Sequence, residues 1–127
     1  MTPGARILVV EDEQIMRDLL RLHLSTAGYA VEVAEDAIAA DYAVLKSPPD
    51  LIICDVEMPH MSGFELIAAL RADQKVARVP VIFLTSLEDE GQAHAIGAQA
   101  HLRKPVRLEE LLKAVSGQLG QRPGSPT

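Results

Sequence analysis

The sequence has little of three things: cysteine, long apolar runs and clusters of basic residues. It contains one cysteine, Cys54, which excludes an internal disulfide and is typical of a reducing compartment such as the cytoplasm. Its first apolar run, residues 7–10, is short and is followed at once by Glu11 and Asp12. Neither a signal peptide nor a membrane span is therefore predicted.

The charge balance is acidic, with a formal net charge of -6 over 127 residues. No run of Lys and Arg marks a surface that follows a phosphate backbone, so direct binding to nucleic acid is not expected. A basic partner or a metal ion is favoured instead. The length is that of one domain, and a composition of 48% hydrophobic and 24% charged residues is ordinary for a globular protein.

Short apolar stretches alternate with segments of helical periodicity. Residues 7–10, 51–54 and 81–84 are apolar at every position, which is typical of buried parallel strands. Val31 to Ala34 and His101 to Arg103 are weaker strand candidates. Helices are predicted at Ile15 to Leu24, Asp36 to Leu45, Phe64 to Leu70, Glu88 to Ile96 and Leu108 to Leu119. Five strands alternating with five helices predict an α/β protein of three layers, with helices on both faces of a parallel sheet.

Polar residues stand where four of these strands end. Each of them has an ordinary structural explanation. The acids Glu11 and Asp12 can begin a helix, Asp55 can form a turn, Thr85 can cap a helix and Lys104 can be an exposed turn residue. Because the ends of parallel strands meet at one edge of the sheet, the four together indicate one shared pocket.

The residue types in this pocket indicate phosphate chemistry. Three carboxylates close together raise one another's pKa unless cations are present, and Lys104 alone cannot balance them. Mg²⁺ takes oxygen ligands, so Asp12 and Asp55 are candidate ligands. Asp55 is the candidate nucleophile for a phosphoryl group, because phosphoryl transfer needs mainly positioning and charge neutralisation. Thr85 offers a hydroxyl donor to a phosphoryl oxygen.

Over residues 6–119 the chain resembles the receiver domain of two-component response regulators, the CheY-like superfamily. The motifs are Val9 to Glu13, Asp55 to Gly63, Leu84 to Ser86, Gly97-Ala98 and Lys104-Pro105, in the family's order. The resemblance implies a flavodoxin-like, doubly wound sheet of strand order 2-1-3-4-5. It also implies that Asp55 accepts a phosphoryl group from a histidine kinase or a histidine phosphotransfer protein. The implied Mg²⁺ site, with Mn²⁺ as an alternative, consists of Glu11, Asp12, Asp55 and the backbone carbonyl of Glu57.

The resemblance further implies how the domain passes on its signal. Thr85 and Lys104 would bind the phosphoryl group, and the bond from Lys104 to Pro105 would be cis. The face formed by the fourth helix, the fifth strand and the fifth helix would contact a downstream partner or output domain, and would allow a phosphorylation-dependent dimer. Residues 1–119 would form the receiver domain. Residues 120–127 would form a flexible tail or linker, in a glycine- and proline-rich segment that begins at Gly117.

Three positions depart from the family pattern. His101 stands where the family usually has Phe or Tyr, which predicts altered coupling to the output. The segment from Thr85 to Lys104 is about one helical turn shorter than usual, which predicts a nonstandard output face. Leu87 flanks the route of the hydrolytic water and cannot orient it, which predicts a long-lived phosphorylated state. Glu57, also on that route, can act in either direction.

Two other functions remain as alternatives. An aspartate-nucleophile phosphatase of the haloacid dehalogenase kind uses similar groups, but it has a second Asp at the place of Glu57 and a larger chain. A docking module that has lost phosphorylation would be expected to lack site residues, all of which are present here. The sequence therefore predicts a signalling phosphoacceptor that is not a turnover enzyme.

Overall fold

Five parallel strands form one sheet in the computed structural model, which describes residues 4–86 and 100–120. The strands are β1 (Arg6–Val10), β2 (Ala30–Ala34), β3 (Leu51–Asp55), β4 (Val81–Thr85) and β5 (Ala100–Arg103). Their order is β2-β1-β3-β4-β5, so the predicted α/β class, parallel sheet and strand order are confirmed. The helices of the described residues are α1 (Gln14–Thr26), α2 (Ala37–Lys46), α3 (Gly63–Leu70) and α4 (Leu108–Gly120).

The sheet separates two apolar cores. Successive side chains of a strand point to opposite faces, so each inner strand contributes to both. From β1, Leu8 and Val10 pack with α2 and α3, whereas Ile7 and Val9 pack with α1 and α4. This division explains why the inner strands are apolar at every position, and it confirms the three-layer architecture.

Local hydrogen bonds define where two of the helices begin. Asp36 caps α2, because its Oδ1 accepts a hydrogen bond from the amide of Ala39 at 2.8 Å. Ser62 and Glu65 form a capping box at the start of α3, in which each side chain accepts from the other residue's amide. The start of α3 lies beside the end of β3, because the amide of Gly63 donates to the carbonyl of Val56 at 2.9 Å.

The apolar face of α1 is narrower than its periodicity predicts. Leu20 and Leu24 are buried, but Ile15 is 81% exposed and Leu19 is 46% exposed. The recurrence of apolar residues at helical spacing predicted the helix correctly, but it overestimated how many of them reach the core.

The end of the last helix can be compared with its prediction, whereas two other predicted segments lie outside the described residues. The last helix runs to Gly120, one residue beyond its predicted end at Leu119. Residues 121–127 and the predicted helix at residues 88–96 lie outside the described residues. In the part of the chain that is described, no helix is long and apolar enough to cross a bilayer.

Candidate functional site

The carboxyl ends of the strands bring the predicted site residues to one edge of the sheet. Asp55 is the last residue of β3 and Thr85 the last of β4, while Glu11 and Asp12 follow β1 directly and Lys104 follows β5. The register pairs Val10 with Cys54 and Asp55 with Leu84, so neighbouring strands end nearly level. Residues far apart in sequence therefore meet here, as the alternation of strands and helices predicted.

Three carboxylates meet at the centre of this edge. Glu11, Asp12 and Asp55 each offer an oxygen within 4.8 Å of the others. Glu11 and Asp55 are almost fully buried, at 1% and 2% exposure, whereas Asp12 is exposed. Within residues 4–86 and 100–120, this is the only group of three or more His, Cys, Asp or Glu side chains placed to hold a metal ion.

Lys104 is the cation of the site. Its Nζ lies 2.8 Å from Oδ1 of Asp55 and 3.7 Å from Oε1 of Glu11. The backbone of Lys104 is anchored as well, because its amide donates to the carbonyl of Thr85 at 2.8 Å. The peptide bond between Lys104 and Pro105 is cis, as the resemblance implied.

Burial raises the pKa of two carboxyl groups of the site, and Lys104 offsets only part of this effect. Burial raises the pKa of Glu11 to about 7, with a further increase from the charge of Asp55. Burial also raises the pKa of Asp55, and the hydrogen bond and charge of Lys104 offset only part of that increase. Burial alone would lower the pKa of Lys104, but its hydrogen bond with Asp55 and the nearby carboxylates raise it.

The two carboxylate oxygens of Glu11 differ in their hydrogen bonds. Oε2 of Glu11 accepts a hydrogen bond from the amide of Glu13 at 3.1 Å. Oε1 is buried and accepts no hydrogen bond from any of the residues that the structure describes. A buried carboxylate oxygen without a donor is costly in a protein interior. The site therefore fits a hard divalent cation, which takes carboxylate oxygens as ligands.

Thr85 lies at the same edge with its hydroxyl turned toward β5. The residue is fully buried, and its Oγ1 donates to the carbonyl of Leu102 at 3.5 Å. Its carbonyl accepts the amide of Lys104. Thr85 thus links β4 to the segment that carries the lysine, a backbone role that its sequence position did not reveal.

The loop after β3 completes the edge. The amide of Glu57 donates to Oδ1 of Asp55 at 3.4 Å, a weak contact that places the Glu57 backbone beside the Asp55 carboxylate. A cleft of about 570 Å³ opens here, lined by Asp12, Glu57, Met58 and Phe64 among others. The cleft opens beside the acidic cluster, because Asp12 lines it.

Two residues that support the site were not identified as functional from the sequence. Gly63 begins α3 so close to β3 that a Cβ atom would lie 2.3 Å from the carbonyl oxygen of Asp55. Arg17, on α1, donates hydrogen bonds to the carbonyls of Glu11 and Asp12. Gly63 is the last residue of the Asp55 to Gly63 motif, one of those that carry the family resemblance. The contacts of Arg17 depend on how α1 turns back over the loop, which no local pattern shows.

Cys54 is a buried residue beside the site. Its side chain is fully buried beside Asp55, and its Sγ donates to the Asp55 carbonyl at 3.4 Å. Burial, together with the charges of Asp55 and Glu11, raises the pKa of the thiol far above its ordinary value. The thiol is therefore unreactive, as expected for a small buried strand residue.

A profile described as the response regulator receiver domain matches residues 7–116. The chain belongs to this family. It is therefore a receiver domain, the phosphoacceptor module of two-component signalling, and the family resemblance of the sequence is confirmed. Receiver domains of response regulators interact with histidine kinases and with output domains.

Individual relatives agree with this assignment. The DNA-binding dual master transcriptional regulator RpaA of Synechocystis is 37% identical over 117 residues, which are 90% of this chain and 48% of RpaA. This receiver domain thus spans about half the length of the curated relatives that it matches.

Solved structures of receiver domains have the same fold. The chemotaxis protein CheY4 of Vibrio cholerae superposes with a TM-score of 0.82 at 36% identity, over 91% of this chain and 98% of that one. The receiver domain of the sensor histidine kinase PA1611 from Pseudomonas aeruginosa superposes with a TM-score of 0.84 at 28% identity, over 93% and 99%. That protein has a magnesium ion coordinated in its active site cleft.

Proposed function

We propose that Asp55 is the phosphoacceptor of this receiver domain and takes its phosphoryl group from a phosphohistidine of a histidine kinase or histidine phosphotransfer protein. The observation that carries this proposal is the position of its carboxylate. It is buried at the end of an inner strand, 2.8 Å from a lysine and within 4.8 Å of two further carboxylates, beside a cleft open to solvent.

Glu11, Asp12 and Asp55 would hold Mg²⁺ or Mn²⁺, with the backbone carbonyl of Glu57 as a further ligand. Oε1 of Glu11 is buried and accepts no hydrogen bond from the described residues. This oxygen and the raised pKa values of Glu11 and Asp55 support a divalent cation at this position. When bound, the cation neutralises negative charge on the carboxylates and on the phosphoryl oxygens.

In the proposed transfer, an oxygen of Asp55 attacks the phosphorus atom of the phosphohistidine. The P–N bond breaks, its electron pair stays on the imidazole nitrogen, and the ring takes a proton from solvent. Lys104 is hydrogen bonded to Asp55 in this structure, and after the transfer it would bind the negatively charged phosphoryl oxygens. Thr85 would donate its hydroxyl to one of these oxygens after leaving its weak bond to Leu102, so that phosphorylation biases the position of β5.

The output would follow from this shift. We propose that the downstream partner or output domain contacts the face that includes β5 and α4, together with the segment around residues 88–96. The proposed location is the cytoplasm, where response regulators typically act. The domain would promote only its own phosphorylation and dephosphorylation, and would not turn over other substrates.

Intact mass spectrometry after incubation with Mg²⁺ and phosphoramidate tests the proposal. The wild type should gain one labile phosphoryl group, and Asp55→Asn should gain none. Asp41→Asn is the matched control, since Asp41 is an exposed aspartate on α2, away from the strand ends, and this variant should behave as the wild type.

The other outcomes identify the alternatives. An adduct on Asp55→Asn would show that the acceptor lies elsewhere. No adduct on any of the three proteins would favour a docking module without phosphorylation. Steady release of phosphate over many turnovers from phosphate esters would make the protein a phosphatase.

A further inference from the structure

Arg17 lies one turn into α1 and reaches back to the loop that carries two of the site's acids. A single guanidinium nitrogen, Nη1, donates to the carbonyl of Glu11 at 3.0 Å and to that of Asp12 at 3.3 Å. The side chain is half-buried. Arg17 therefore fixes two successive peptide units of a loop that is only three residues long, between the end of β1 and Gln14.

This loop has a reason to need such support. It must hold the carboxylates of Glu11 and Asp12 beside Asp55, with all three within 4.8 Å, although like charges at this distance repel. The helix start offers little help, because Glu13 at the N-cap makes no side-chain capping hydrogen bond within the described part of the chain.

Two hydrogen bonds that involve backbone amides fix the position of Glu11. Its own amide donates to the carbonyl of Ala34 in β2 at 3.0 Å, and its Oε2 accepts the amide of Glu13. Arg17 adds a hydrogen bond to the carbonyl of the exposed Asp12, next along the chain. The guanidinium thus ties the position of Asp12 to that of Glu11.

We propose that Arg17 is a positioning residue for the divalent cation. Arg17 holds the backbone of Glu11 and Asp12, so that both carboxylates stay at ligand distance from Asp55. The inference rests on the proposed metal site. A guanidinium has no lone pair to give a cation, so Arg17 acts through the backbone. Groups that orient metal ligands in this way typically change affinity by about 10- to 100-fold when removed.

Binding of Mn²⁺ to the full chain, followed by electron paramagnetic resonance and checked by competition with Mg²⁺, tests the proposal. Arg17→Met keeps the length of the side chain and removes its donors, and should weaken Mn²⁺ binding by about 10-fold or more. Arg21→Met is the matched control. Arg21 lies four residues further along α1 in an exposed pair with Asp18 at 3.6 Å, so its removal should change affinity by less than about twofold.

A double-mutant cycle separates positioning from general loosening of the fold. If Arg17 acts by placing Asp12, its replacement should cost less affinity in the Asp12→Asn background than in the wild type. Arg17→Lys keeps the charge without the planar fork. If Arg17→Met does not fold, Arg17→Lys is used in its place, and Arg21→Lys is then the matched control.

Each outcome decides a different point. Wild-type affinity in Arg17→Met, or equal losses in both backgrounds, would overturn the positioning role and leave the proposed function intact. Absence of Mn²⁺ binding in the wild type would overturn the metal site of the proposed function, and this inference with it.

Discussion

Gly63→Ala is expected to damage both folding and phosphorylation, because the start of α3 leaves no room for a methyl group. The added Cβ would lie 2.3 Å from the carbonyl oxygen of Asp55, 3.0 Å from its carbonyl carbon and 3.0 Å from Sγ of Cys54. Ordinary contact begins near 3.4 Å, and two of these three atoms are backbone, which cannot rotate away. The start of α3 must therefore move from the end of β3 by about 1 Å.

The size of the effect follows from this displacement. Forcing an extra methyl group into a packed site typically costs about 1–3 kcal/mol of unfolding free energy. The same shift moves the Asp55 peptide and strains the 2.9 Å hydrogen bond from the Gly63 amide to the Val56 carbonyl. Since a misplacement of about 1 Å at a reacting group can cost about 100-fold in rate, phosphorylation of Asp55 should slow by roughly this factor.

Urea unfolding and the initial rate of phosphoramidate-dependent phosphorylation measure the two effects. Gly117→Ala is the matched control, because Gly117 lies in α4 and a Cβ there meets nothing within 4 Å. That variant should gain about 0.5–1 kcal/mol from helix propensity and react at the wild-type rate. A Gly63→Ala protein with wild-type stability and wild-type phosphorylation rate would refute the argument from close approach.

Three further predictions concern stability. Asp36→Ala should lower the unfolding free energy by about 1 kcal/mol, because it removes the 2.8 Å capping hydrogen bond to the Ala39 amide. The control Asp41→Ala should change the unfolding free energy little. Equal urea midpoints for the two variants would contradict the capping role of Asp36. His60 has a φ of 71°, a backbone conformation that glycine adopts more easily than other residues. His60→Gly should therefore raise the unfolding free energy by up to about 1 kcal/mol, and the β-branched His60→Val should lower it. The reverse order in urea unfolding would show that the backbone there is not strained. Burial raises the pKa of Glu11 from 4.5 to about 7, so between these values the folded state keeps a proton that the unfolded state has released. The unfolding free energy of the metal-free chain should therefore fall as the pH rises through this window, and urea unfolding in EDTA should show a smaller slope for Glu11→Gln; an equal slope would assign the dependence to other groups.

Much of the fold could be predicted because it depends on local pattern. The inner strands are apolar at every position because a sheet covered on both faces buries both sets of side chains, as Ile7 and Leu8 show by facing opposite cores. Alternation of such strands with helices restricts the chain to parallel pairing with crossovers on both faces. Asp55 and Thr85 close two of these strands, so their place at one edge followed from the topology.

Other features depend on how elements pack, and the pattern misjudged or missed them. Ile15 and Leu19 have helical spacing but lie largely exposed, because α1 contacts the sheet along a narrower stripe than its apolar residues cover. Gly117 begins a glycine- and proline-rich segment, yet α4 continues past it, and Leu119 is buried in the core. Burial of one apolar side chain outweighs the helix penalty of a glycine.

The sequence by itself determined which chemical groups the site contains and which edge of the sheet presents them, because both follow from residue type and the order of strands. Only the tertiary structure decided how these groups are held. Four features show this: the burial of Glu11, the 2.8 Å contact of Lys104 with Asp55, the hydrogen bonds of Arg17 to the loop and the close approach of Gly63 to β3. Each of them depends on distances between separate elements. Such distances are set when helices and strands settle into one close-packed arrangement, to which every part of the chain contributes.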